Sequence, residues 1–105
     1  MVQFVHPGAQ DITLEGVLAA LADPVRLAIV KALMQRGDCA SCTGLTPSGQ
    51  VAKSTLSRHF RILRESGLIH TAKKGVENSN GLRRADIEAK FPGLLDLVAK
   101  LAEPK

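Results

Sequence analysis

Leu56, Phe60 and Leu63 recur at i, i+4 and i+7 within K-S-T-L-S-R-H-F-R-I-L-R-E-S-G-L-I, the stretch from Lys53 to Ile69. That spacing predicts a helix over roughly 53–66 with one apolar stripe. At about 100° per residue, Ser54, Ser57, Arg58 and Arg61 fall on the opposite side. No carboxylate interrupts this outer face until Glu65. Ser66-Gly67 stops the helix. Leu68 to Lys73 continues as a strand, Lys74-Gly75 turns it, and Asn78 to Leu82 returns. The returning strand is weak, because Asn, Ser and Gly are poor strand formers.

Upstream, Leu14, Val17, Leu18 and Leu21 give a second helical stripe over about 11–22, with Asp11 as its cap and Glu15 in its first turn. Asp23-Pro24 is a strong helix start. The helix it opens runs to about Gln35 and is apolar around most of its circumference, which predicts a central buried helix. Arg26, Lys31 and Arg36 are its exits to solvent, and Gly37-Asp38 closes it. Residues 39–52 hold two Gly, one Pro and several hydroxyls; they allow a short helix around Ser41–Leu45 and a turn at Pro47-Ser48-Gly49. Past the hairpin, Ile87 and Phe91 pair at i, i+4 before Pro92-Gly93. Leu94, Val98 and Leu101 then mark a last amphipathic helix to about Ala102. The stripes of the first and last helices exceed what one small core covers.

The fold class this order predicts is mostly α with a small β-hairpin wing: a winged helix-turn-helix, α-α-α-α-β-β-α, formed by 105 residues as one domain. No apolar run approaches a membrane span, and the N-terminus lacks the pattern of a signal peptide, so a cytoplasmic protein is expected. Two cysteines cannot build a disulfide framework, which fits a reducing compartment.

Charge sharpens the reading. Residues 1–38 carry three basic and four acidic side chains, a net of −1; residues 39–74 carry six against Glu65 alone, a net of +5; residues 75–105 balance five against five. A surplus confined to one supersecondary unit is a footprint for a polyanion. With no Trp, no Tyr and three Phe, base-stacking platforms for single strands are disfavoured. A short helix, a turn and a longer basic helix suit the major groove of double-stranded DNA. A winged helix that binds only proteins would be expected to lack the basic middle.

Two blocks, L-A-D-P-V-R-L-A-I-V at 21–30 and S-T-L-S-R-H-F-R-I-L-R-E-S-G-L-I at 54–69, resemble the ArsR/SmtB family of bacterial transcriptional repressors. L-R-R-A-D-I-E-A-K-F-P-G-L-L at 82–95 resembles the C-terminal end of one branch of it. The resemblance implies a homodimer built from the flanking helices, about 11–22 and 84–102. It also implies a reading helix in the major groove, a wing along the backbone, and repression relieved by an effector, often a metal or metalloid.

On that resemblance, Lys53, Ser54, Thr55, Ser57, Arg58 and His59 occupy the reading half of the helix. Arg58 is the best base reader, because its fork fits guanine O6 and N7. Lys53, Arg61, Lys73 and Lys74 suit phosphates, and Arg64 is either a holding contact or a solvated charge. His59 lies on the helix flank, as a contact or as a packing residue. A two-fold protein would read an inverted-repeat operator.

Cys39-Ala-Ser-Cys42 is a C-x-x-C open to three readings. Its thiolates can chelate a soft ion such as As(III), Sb(III), Zn(II) or Cd(II), with further donors from His6, His70 or a partner subunit. They can close a redox-sensitive disulfide. They can be small apolar residues with no sensing role, any effector then being a non-metal one. The family's best-known metalloid site is a C-x-C at the start of the helix before the turn; here C-x-x-C stands slightly upstream. An enzyme of thioredoxin type would need a strand before the motif and a helix at its first Cys, and no nucleophile–base constellation is visible.

Overall fold

A computed structural model describes residues 6–36, 39–41, 53–74 and 77–101. After a short 3-10 turn at Ala9–Asp11 come α1 (Leu14–Leu21), α2 (Pro24–Arg36), β1 (Cys39–Ser41), α3 (Lys53–Ser66), β2 (Ile69–Lys74), β3 (Glu77–Leu82), α4 (Arg84–Lys90) and α5 (Leu94–Leu101). None of these helices is long and apolar enough to cross a membrane.

The cap of α1 is Thr13, not Asp11. Asp11 ends the 3-10 turn, Ile12 and Thr13 are extended, and Thr13 Oγ1 accepts the Gly16 N–H at 3.1 Å. The extended pair drops Ile12, 1% exposed, into the core. Asp23 caps α2 as its sequence signals: Oδ1 accepts from the backbone N–H of Val25 at 2.8 Å and of Arg26 at 3.2 Å. Ile29, Val30 and Leu33 of α2 are fully buried, so this helix is central.

The core joins Ile12, Val17, Ala20 and Leu21 to that α2 face, to Phe60 and Leu63 of α3, to Leu68 and Ile69, and to Ile87 and Leu95. Each large aliphatic residue so buried contributes about 1.5–3 kcal/mol before the entropy of ordering is charged against it. α3 ends in a Schellman motif. Leu68 N–H donates to Leu63 O at 3.2 Å and Gly67 N–H to Arg64 O at 3.1 Å, with Gly67 at φ +90°. The left-handed residue aims the chain from the helix straight into β2.

The sheet has three strands, order β1-β3-β2, rather than the two of a simple hairpin. Cys39–Ser41 pairs antiparallel with Gly81–Ser79, so Ser41 belongs to a strand and not to a short helix. Residues 42–52, with the turn expected at Pro47-Ser48-Gly49, lie outside the described residues. The compositionally weak strand β3 is therefore the central one, paired on both sides. Asn80, fully buried, accepts a 2.8 Å hydrogen bond from the Thr71 hydroxyl directly opposite. Arg83 anchors the base of the hairpin: its backbone N–H donates to Leu68 O at 2.8 Å, while its guanidinium reaches Pro7 O at 2.8 Å and Asp86 at 3.0 Å.

Candidate nucleic-acid interface

The apolar stripe of α3 fixes which side chains it can offer. Phe60 and Leu63 are buried and Leu56 is half-buried, which turns Ser54, Thr55, Ser57, Arg58 and Arg61 to solvent. These five form a continuous outer face on the first two-thirds of the helix. Arg61 meets Glu65 at 3.8 Å, but both side chains are more than 60% exposed, so solvent screens the pair and leaves Arg61 usable. Lys73 is exposed on β2, the strand that leaves the C-terminus of α3. Lys53 opens α3 and Lys74 ends β2; their side chains lie outside the described ones.

His59 departs from its neighbours. Its side chain is 12% exposed and points inward. Nδ1 lies 3.1 Å from Arg26 Nη1, and Nε2 lies 4.0 Å from Asp23 Oδ1. Arg26 is not an exit to solvent either. Its Nε donates to Ala20 O at 2.7 Å and its Nη2 to Ala19 O at 3.4 Å, satisfying carbonyls in the last turn of α1. Burial raises the Asp23 pKa, but the N–H groups of Arg26 and Val25, with His59 and the Arg26 charge, outweigh it and hold the carboxyl below its ordinary value. Sequence reasoning missed this cluster; its one trace was Arg26 inside an otherwise apolar helix.

The cysteine motif is placed only in part. Cys39 lies on β1, and Cys42 lies outside the described residues. In the sheet register Cys39 is opposite Gly81, and Gly81 is opposite His70. His6 stacks on His70 with ring centroids 4.2 Å apart, and its Nε2 accepts the Thr71 N–H at 3.0 Å. Burial, then the neighbouring His70, Arg83 and Arg64, lowers the His6 pKa. Among the described residues no three His, Cys, Asp or Glu side chains cluster as a metal site.

Two helices keep apolar surface in solvent. Leu14 and Leu18 on α1 are 44% and 46% exposed; Leu97 and Leu101 on α5 are 52% and 74% exposed. Each pair is spaced i, i+4, so each is a stripe and not a scatter.

A helix-turn-helix domain family matches residues 21–72, the span from the end of α1 through most of β2. The chain is 35% identical over 80 residues to the uncharacterized HTH-type transcriptional regulator YceK of Bacillus subtilis, covering 76% of this chain and 80% of that one. It is also similar to two solved structures. An ArsR family transcriptional regulator, RHA00566, has TM-score 0.65 and 25% identity, over 96% of this chain and 100% of that one. The transcriptional repressor BigR from Xylella fastidiosa has TM-score 0.66 and 26% identity, over 88% of each chain. With the winged-helix order, the exposed basic face of α3 and these relatives together, the chain belongs to the ArsR family of helix-turn-helix, DNA-binding transcriptional regulators, and is not an enzyme.

Proposed function

We propose that the chain, one domain over 1–105, is an effector-released repressor that binds an inverted-repeat operator as a homodimer. The observation that carries this reading is the outer face of α3, where Ser54, Thr55, Ser57, Arg58 and Arg61 are exposed together while Phe60 and Leu63 anchor the helix from behind. In the major groove Arg58 reads guanine O6 and N7 through its fork, and the hydroxyls of Ser54, Thr55 and Ser57 donate to bases or phosphates. Lys53, Arg61, Lys73 and Lys74 neutralise phosphates from the two ends of the same helix–strand unit. His59 serves from behind, through the Arg26 contact, and not as a base contact. The unpartnered stripes Leu14/Leu18 and Leu97/Leu101 support dimerisation through α1 and α5, and a two-fold dimer favours a two-fold site.

Gel-shift titration with Arg58→Ala tests the assignment. Sequence-selective binding is expected to disappear while the dimer persists in sedimentation. Unchanged affinity and selectivity would remove Arg58 from the reading role.

For the effector, a soft ion such as As(III), Sb(III), Zn(II) or Cd(II) held by Cys39 and Cys42 fits the donor set. Thiolates favour such ions, and the sheet row Cys39–Gly81–His70 puts an imidazole-bearing residue on the same sheet face as the first cysteine, with only a glycine between. His6, stacked on His70, brings a second imidazole to that end of the sheet. Metal analysis of the purified dimer and arsenite titration of its DNA complex read this out. Release by oxidant with no bound ion would replace it with the disulfide switch. Release by neither, with wild-type behaviour of Cys39→Ser, would leave a non-metal effector.

A further inference from the structure

Arg26 touches three helices at once. It grows from the first turn of α2, takes the Ala19 and Ala20 carbonyls of α1, and reaches His59 in the middle of α3. A guanidinium has donors only, so at 3.1 Å the His59 Nδ1 must accept, and the imidazole proton sits on Nε2. That N–H faces the Asp23 carboxylate at 4.0 Å, the same oxygen that caps α2. The charged groups facing His59 are thus Arg26 on one side and Asp23 on the other.

The stripe of Leu56, Phe60 and Leu63 sets the depth of α3, but apolar contacts are non-directional and leave rotation about the helix axis loosely defined. A directional hydrogen bond one residue after Arg58 removes that freedom. A side-chain tip sits about 6 Å from a helix axis, so a rotation of ~20° displaces it by about 2 Å. A bidentate contact to guanine does not survive such a shift.

We propose that Arg26 is a positioning residue for sequence reading: through the His59 acceptor it locks the rotation of α3 and ties the reading helix to α1. The inference rests on α3 being the DNA-reading helix. It gives Asp23 and His59 a joint task, Asp23 fixing the tautomer that Arg26 needs. Because α1 also carries the exposed Leu14/Leu18 stripe, the same guanidinium connects the proposed dimer seam to the base readers.

The test uses the full chain and a duplex that the wild-type protein selects from a random-sequence pool, against a scrambled duplex of the same composition. Arg26→Met and His59→Leu are each expected to lower the selected-to-scrambled affinity ratio by about tenfold, the scale of one lost bidentate contact, with scrambled-duplex affinity unchanged. His59→Asn places an amide oxygen near the former Nδ1 and should hold the ratio within about threefold, well inside that loss. Nitrogen-15 spectra should show His59 protonated on Nε2 in the wild type and as mixed tautomers in Arg26→Met. If Arg26→Met prevents folding, His59→Leu still decides, since it leaves Arg26 on α1. An unchanged ratio in both variants, equal damage from Asn and Leu, or a wild-type proton on Nδ1 overturns the proposal. A wild-type protein that selects no duplex overturns the DNA-reading assignment, and this inference with it.

Discussion

Replacing Gly67 by alanine should damage this fold more than the same replacement at Gly93, and the gap between them measures one contact. Both glycines have left-handed backbones, φ +90° and φ +81°. At Gly93 a new Cβ would meet nothing within 4 Å, so only backbone strain acts. That strain costs about 1–2 kcal/mol, offset by ~0.4–1 kcal/mol from the stiffer unfolded chain, for a net loss near 1 kcal/mol. At Gly67 the Cβ would lie 2.5 Å from Ile12 Cγ1 and 2.6 Å from Cδ1. Ile12 is 1% exposed and has no room to retreat, so overpacking adds ~1–3 kcal/mol and the total reaches about 2–4 kcal/mol. Urea denaturation at one fixed protomer concentration is the assay, because association shifts apparent stability. Ile12→Ala should partly rescue Gly67→Ala, with a favourable coupling of about 1 kcal/mol or more in the double-mutant cycle. Equal losses at the two glycines, or additive behaviour with Ile12→Ala, would refute the close-approach argument.

Three further outcomes are expected. Leu97→Glu, on the exposed stripe of α5, should convert the dimer to monomer in analytical ultracentrifugation while circular dichroism keeps its helical content; a persistent dimer would remove α5 from the interface. Lys73→Ala should weaken binding alike to selected and scrambled duplexes and reduce the slope of log affinity against log salt by about 1, as one lost phosphate contact requires. Asp23 has its pKa held below the ordinary 3.8, so its charge stabilises the folded state above that value, and the contribution is lost as pH falls through the folded value. Asp23→Asn keeps an acceptor for the Val25 and Arg26 N–H groups but should flatten the acid limb of the stability curve below about pH 4; an unchanged limb would assign the acid sensitivity elsewhere.

What the sequence made legible follows from which interactions are local. The bounds of α2 and α3 are written in neighbours: Asp23-Pro24 starts one, and Ser66-Gly67 stops the other. The stripe of α3 also dictates which of its residues face solvent. Other features depend on partners far along the chain. Strand β1 has no β-branched residue in C-A-S, and it exists because Ser79–Gly81 offers it a ladder 40 residues away. Arg26 reads as solvent-facing until a carbonyl six residues back and an imidazole 33 residues ahead claim its donors. Thr13 displaces Asp11 as the cap because Ile12 must be extended to enter the core. His59 had equal claims to groove and interior by periodicity; Arg26 and Asp23 hold it inside.

The strand order β1-β3-β2 bears on how the wing breathes. A central antiparallel strand sends its amides alternately to both neighbours, whereas an edge strand leaves every second amide to water. Residues 79–81 should therefore be the slowest-exchanging amides of the wing under deuterium labelling, despite being its poorest strand formers. Their protection is lent by Cys39–Ser41, so anything that pulls at the cysteine-bearing strand will show first as faster exchange at Ser79, Asn80 and Gly81.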